Sequence, residues 1–331
     1  MNTMKTVNRP LLIGLLALAI ALLALASMSA GKIWVPWSAW FHTADDPRWV
    51  IIFDLRLPRT LLAIAIGMVL GLCGAALQGY TRNPLAEPTI LGVSSMAAFG
   101  AVMTLYLGAA ATAPWILPAG GMLGALLGVV ALLALSGASS SVLTFILAGV
   151  ILNAVAAAGV ALALSLTPNP WAVNEIVNWL MGSLADRSVD ELRMALPFMI
   201  MGGVLLFTTR QALDALTLGE VGARSVGINL ARTRVVLAVG LALTAGASVA
   251  VTGVIGFVGL ITPHLLRPLV GARPGALLLP SALGGSVLVL AGDILVRVIP
   301  TVAEVKLGVA MSALGGPFFL ALLIAHRRKI A

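Results

Sequence analysis

Apolar runs separated by short polar breaks repeat along almost the whole chain. Each is close to the ~20 helical residues that cross a bilayer. The pattern predicts ten helical spans, at about 10–30, 59–80, 90–108, 114–136, 142–165, 193–209, 234–252, 257–270, 275–297 and 307–325. The eighth is short for crossing alone. Between the fifth and sixth, residues 173–192 mix Trp179 and Met181 with Asp186 and Asp190, which reads as an interfacial helix. The first run follows Lys5 and Arg9 and ends in Ser27-Met28-Ser29-Ala30, a pattern that resembles a signal peptide. It is long for that role and many spans follow, so it reads as a retained first helix. The expected fold is an all-α polytopic membrane protein, one transmembrane domain over residues 1–331.

Composition narrows the class. Sixty per cent of the residues are hydrophobic and 10% charged, against about 25% charged in a soluble domain. The net charge of +8 does not point to nucleic acid, because the basic residues sit in short loops between apolar runs, where orientation signals lie. With ten spans both termini share a side. That side collects 12 Lys and Arg against 3 Asp and Glu, and the other 8 against 9. The excess of positive charge predicts cytoplasmic termini. Arg56, Arg59 and Arg297 then fall on the outer face.

Small residues recur four apart, as at Gly67 and Gly71 and at Gly120, Gly124 and Gly128. Such spacing lets helix backbones approach closely, and packing within one subunit explains it better than a dimer face. Trp34, Trp37, Trp40 and Trp49 read as an interfacial belt. Cys73 is the single cysteine, so no intrachain disulfide exists. His42, His264 and His326 are scattered, and His264 reads as a packing histidine. No phosphate-binding Gly-x-x-x-x-Gly-Lys-Ser/Thr loop, His-Glu-x-x-His or run of intramembrane carboxylates is present. Neither an ATPase, a metalloenzyme nor a proton-driven carrier is favoured, and no cofactor or metal is expected.

Two segments carry the functional reading. Leu55 to Leu62 sets Arg56, Pro58 and Arg59 directly before a long apolar helix, where a buried guanidinium is costly. The segment at about 210–233 is the longest cytoplasmic one. Its glycines at 219, 222 and 227 punctuate turns carrying Leu218, Val221, Val226 and Ile228. Two small bent helices shaped to dock into another protein would look like this, and so would an amphipathic loop lying on headgroups.

The run Arg56-Leu57-Pro58-Arg59-Thr60, then Gln78-Gly79, Arg82-Asn83-Pro84-Leu85-Ala86-Glu87-Pro88 and Leu91-Gly92-Val93-Ser94 resembles the FecCD family, permeases of type II ABC importers. Gly253 to Leu260, Pro263-His264, Arg267, Gly292-Asp293, Glu304, Gly308 and Gly315 to Phe319 agree. The resemblance covers the chain from about residue 50 onward and implies the type II importer permease fold. It further implies a homodimer with one central pathway, two ATP-binding-cassette ATPase subunits inside and a periplasmic binding protein outside. The protein would be a transport subunit of the bacterial inner membrane, not an enzyme.

Residue by residue, the resemblance implies that Arg56, Arg59 and Arg297 take carboxylates from the binding protein through bidentate pairs. Snorkelling to phosphate headgroups is the plainer alternative. It assigns ATPase coupling to Leu218, Gly219, Glu220, Gly222, Ala223 and Gly227, with Glu220 also able to cap a helix. It lines the pathway with the fifth span, the short helix after it and the tenth, through Leu143, Leu147, Val150, Ile151, Asn153 and Ala154. Asn153 fits an interhelical hydrogen bond better than a substrate contact. Ser139, Ser140 and Ser141 match the inner gate. Haem is the expected cargo, with iron–siderophore and cobalamin the alternatives. A secondary carrier would need coupling-ion ligands and an internal repeat, and a channel or scaffold would need no motor.

Overall fold

The computed structural model describes residues 8–41, 46–137, 141–271 and 273–330. Among these, seven helices are long and apolar enough to cross a membrane, and three shorter apolar helices bring the set to ten. In chain order the helices are α1 (Arg9–Ser29), α2 (Leu57–Thr81), α3 (Val93–Tyr106), α4 (Ile116–Ser136), α5 (Val142–Leu166), α6 (Pro170–Leu180), α7 (Val189–Thr208), α8 (Gly219–Ser225), α9 (Leu230–Thr252), α10 (Val258–Val270), α11 (Pro274–Val298) and α12 (Leu307–Ile330). Their starts follow ordinary capping rules. Pro10 and Pro58 sit in the first turns of α1 and α2, where the missing N–H costs nothing. Ser141 and Asn169 cap α5 and α6 through their side-chain oxygens.

The interfacial helix expected over 173–192 is shorter than the sequence pattern suggested. It is α6, ending at Leu180, and residues 189–192 already belong to α7. A capping box explains the boundary. Ser188 accepts from the Asp190 amide, and Glu191 reaches back to the Ser188 amide. Charged residues that look interfacial in a linear reading therefore open a span.

The centre of the bundle is α2 against α11, and the contact is backbone to backbone. A Cβ on Gly67 would fall 2.3 Å from the Gly285 carbonyl oxygen, and one on Gly285 would fall 2.0 Å from the Gly67 oxygen. Gly71 meets Ser281 in the same way, at 2.1 Å. The small-residue spacing thus packs one chain against itself, where lipid gives no hydrophobic force to join helices. Gly100 and Gly124 do the same for α3 on α4. Ser286 closes the α2–α11 crossing by donating to the Ile64 carbonyl at 2.8 Å.

α3 and α10 begin inside the bundle. Gly259, in the first turn of α10, lies against Gly74 of α2, and Leu91, just before α3, lies against Gly149 of α5. Thirteen residues of α10 rise about 20 Å, short of the ~30 Å apolar thickness, so extended chain covers the rest. Irregular backbone at membrane depth must be satisfied by protein. Here Ser183 N–H donates to the Thr252 carbonyl, Gly308 N–H to the Gly182 carbonyl, and Phe257 N–H to Glu87 Oε1 at 2.6 Å. Phe257 itself takes a left-handed conformation, φ +66°.

Gly285→Val should therefore destabilise the protein by about 1–3 kcal/mol or more, read as a fall in the thermal midpoint of the detergent-solubilised chain. Gly316→Ala, inside α12 where nothing lies within 4 Å, should not lower that midpoint, since alanine favours a helix over glycine.

Candidate functional site

At one end of the bundle the C-termini of α1 and α11 meet the start of α2, and the three arginines singled out by sequence come together. They are not free charges. Arg56 and Arg59 are 8% exposed and Arg297 6%. Arg56 donates through Nη1 to the carbonyls of Met28 and Ser29, at 3.0 and 2.7 Å, and through Nη2 to Ile33 at 2.6 Å. Arg297 donates to the carbonyls of Ser27 and Ala30 at 3.0 and 3.2 Å. All of these carbonyls but that of Ile33 close α1, where a helix leaves orphan acceptors and partial negative charge. Two guanidiniums therefore cap one helix end, and snorkelling is not needed to explain them.

Arg59 is held differently. Its Nε and Nη2 donate to Asp293 Oδ1 at 2.9 and 2.7 Å, and its other contacts are to the Glu304 carboxylate. Asp293 is fully buried and also stands 2.9 Å from Arg297 Nη2 through Oδ2. One carboxylate thus bridges two guanidiniums from two helices, and a second, from the loop before α12, covers one of them. A buried charge is tolerable only with such partners. Asp293 and Arg297 sit four apart on α11, a spacing that faces them together.

A cleft of about 590 Å³ opens over this cluster. Lys32, Arg56, Arg59, Arg187 and Arg297 line it against Asp54, Asp186 and Glu304, leaving it positive. Arg187, which the sequence reading passed over, has a buried Nε without a hydrogen-bond partner. Burial lowers its pKa, offset in part by Glu191 and Asp186. A carboxylate entering the cleft would relieve that cost. The signal for Arg187 was its place between Asp186 and a helix cap, but it needed the fold to turn it inward.

The opposite end carries α8. Gly219, φ +86°, opens it and Gly227, also φ +86°, follows it, conformations that favour glycine. Leu218 and Val221 stand 66% and 78% exposed, while Ala223 is fully buried and anchors the bend. Gly222 has only Leu218's own side chain beside it. Glu220 Oε1 accepts from the Val142 amide at 3.3 Å. The capping role is real, and it serves α5 instead of α8's own start. The α8 segment is thereby tied to the first turn of the fifth span.

Leu143, Leu147, Val150, Ile151, Asn153 and Ala154 all lie on the exposed face of α5. Asn153 accepts a hydrogen bond from the Ser95 hydroxyl of α3, as an interhelical contact should. Beyond α5, a cavity of about 400 Å³ has Glu87, Thr89, Leu180, Phe257, Val309 and Ser312 on its walls. It joins the end of α6, the start of α10 and the start of α12, and its polar members were not picked out by sequence. Ser141 caps α5 through the Thr144 amide; Ser139 and Ser140 lie outside the described residues, as does His42. His264 stacks edge-on against Phe318 at 5.9 Å.

Residues 17–325 match the model of the FecCD transport family. A hemin transport system permease protein, HmuU of Yersinia pestis, is 34% identical over 330 residues, covering 96% of this chain and 97% of that one. The Fe(3+) dicitrate transport system permease protein FecD of Escherichia coli is 36% identical, covering 94% and 98%. The vitamin B12 import system permease protein BtuC of Klebsiella pneumoniae is 34% identical, covering 97% and 96%. A solved structure titled as an inward-facing conformation of a metal-chelate type ABC transporter superposes with a TM-score of 0.85 at 30% identity, over 96% of this chain and 99% of that one.

Asp293→Asn should cost about 3–5 kcal/mol, because it leaves Arg59 and Arg297 short of a buried counter-charge. Thermal unfolding in detergent reads this. Combining it with Arg59→Gln should cost less than the sum of the single changes.

Proposed function

The chain belongs to the FecCD transport family and is the permease of an ABC importer, and from that premise we propose that it carries haem across the inner membrane as one half of a symmetric pair. The α8 end faces the cytoplasm and receives one of the pair's two ATPase subunits. The arginine end faces the periplasm and receives a ligand-loaded binding protein. The charge asymmetry between the two sides supports that orientation.

The observation that carries this reading is the pair of unlike ends on one bundle. One end offers a positive cleft built on Arg56, Arg59 and Arg297. The other offers a bent, apolar, exposed helix bonded to the start of a span. The first suits an acidic protein that has to be oriented over an axis. The second suits a groove in a motor subunit, since exposed Leu218 and Val221 gain by burial. Glu220 then hands movement of α8 to α5 through the Val142 amide.

Two copies facing each other would bring the exposed sides of α5 together around a pathway. Leu143, Leu147, Val150 and Ile151 make that wall apolar. An apolar wall lets a cargo pass without being held, and among metal chelates it favours a flat hydrophobic macrocycle. This is the reason for preferring haem over iron–siderophore or cobalamin, since relatives named for hemin, ferric dicitrate and vitamin B12 are 34%, 36% and 34% identical and do not separate the three. Ser139 to Ser141 would mark the inner mouth.

The test is reconstitution with the ATPase and a binding protein loaded in turn with haem, a ferric siderophore or cobalamin, with ATP turnover as readout. Haem-loaded protein should stimulate most, and stimulation only by another cargo would overturn the choice of haem. Arg56→Lys with Arg59→Lys keeps the charge and loses the forked geometry. It should reduce stimulation about tenfold while basal turnover persists, and full stimulation would remove the docking role. Val221→Glu should weaken ATPase association about tenfold in co-purification.

A further inference from the structure

A second positive site lies at the α8 end, apart from the cleft and the pathway. A pocket of about 250 Å³ is enclosed by the last turns of α2 and α10 and the first turn of α11. Arg82, Arg267 and Arg273 line it, with Gln78 and Thr217, and no carboxylate lines it among the described residues. Asp214 is not among the lining residues; its Oδ1 accepts from the Gly275 amide at 2.8 Å, at the start of α11. Arg267 Nη2 donates to Gln78 Oε1 at 2.7 Å, and Gln78 Nε2 reaches the carbonyls of Gly259 and Leu260 at 3.4 Å. The glutamine holds this guanidinium in place without neutralising it. Arg267 Nε is shut off from solvent and has no hydrogen-bond partner. At the arginine cluster of the opposite end, Asp293 and Glu304 partner the charges. Here three guanidiniums share a space that no carboxylate lines among the described residues.

We propose that this pocket binds one phosphate group, supplied by the headgroup of an anionic phospholipid in the adjoining leaflet. Guanidinium forks match phosphate oxygens, and basic pockets between helix ends take acidic headgroups. The pocket sits at the end of α2 and the start of α11, two helices long and apolar enough to cross a membrane. Its volume suits a phosphodiester with its first substituent and excludes a folded protein segment. Arg82 also connects it to α8, because its Nη1 lies 3.8 Å from where a Gly219 Cβ would stand. Occupancy would therefore fix a guanidinium that borders the start of α8. The inference uses only the geometry of this end and holds whichever cargo is carried.

The experiment uses the permease with its ATPase in nanodiscs of phosphatidylcholine, with and without phosphatidylglycerol. Native mass spectrometry after detergent extraction counts retained phosphatidylglycerol. Arg273→Gln and Arg267→Gln should each lower retention about fivefold, while Arg232→Gln, an exposed arginine outside the pocket, should not. Arg273 is exposed and outside the Gln78 network, so its variant tests the site even if Arg267→Gln fails to fold. Retention that survives millimolar inorganic phosphate identifies a lipid ligand. Displacement by inorganic phosphate identifies the same chemistry from a soluble source. Equal retention in wild type and Arg273→Gln would overturn the proposal. So would loss of ATPase co-purification with unchanged lipid, which would assign these arginines to carboxylates of the motor subunit.

Discussion

The arrangement at the arginine end depends on one buried carboxylate. Asp293 is fully enclosed and faces guanidiniums on both sides, from α2 and from its own helix. Without it Arg297 would be an unpaired buried charge and Arg59 would keep only Glu304, a loss no fold tolerates cheaply. With it, Arg297 is free to grip the last carbonyls of α1, and Arg56 completes that grip. Three helices are thus joined by charge at a place where lipid offers no hydrophobic force to join them. The same cluster leaves a surplus of positive charge facing the cleft, so the atoms that hold the helices together also set the charge of that opening.

Span number, order and approximate ends were legible because a bilayer imposes length and composition on every crossing. The packing glycines were legible too, since four-residue spacing has a direct geometric meaning; Gly67 and Gly71 meet α11 as such residues should. What was hidden was partnership. Arg59 and Glu304 lie far apart in the chain, and nothing local states that they touch. A linear reading places three arginines on one face, and the folded chain makes two of them caps of α1 and joins Arg59 and Arg297 to Asp293 and Glu304 by three ion pairs. Capping also moved a boundary: Ser188 and Glu191 look like loop residues until their reciprocal bonds open α7.

The interior starts of α3 and α10 were hidden for a different reason. Hydropathy measures how apolar a segment is, not whether its backbone is helical. The pattern placed a break between the spans at 234–252 and 257–270, but not the backbone that fills it, with Gly253 at φ +73° and Phe257 at φ +66°. Glu87, a carboxylate within an otherwise apolar neighbourhood, acquires its meaning only when Phe257 N–H arrives beside it.

The crossing of α2 over α11 has a mechanical corollary. Side chains between helices are compressible and can change rotamer, but main chain resting on main chain cannot. A carbonyl already lodged where a methyl group would not fit leaves no clearance for sliding. These two helices must therefore behave as a stator. Any relative movement of helices has to fall where a side chain intervenes, as the Phe99 ring does beside Gly159 of α5 and the Phe257 ring does beside Gly315 of α12.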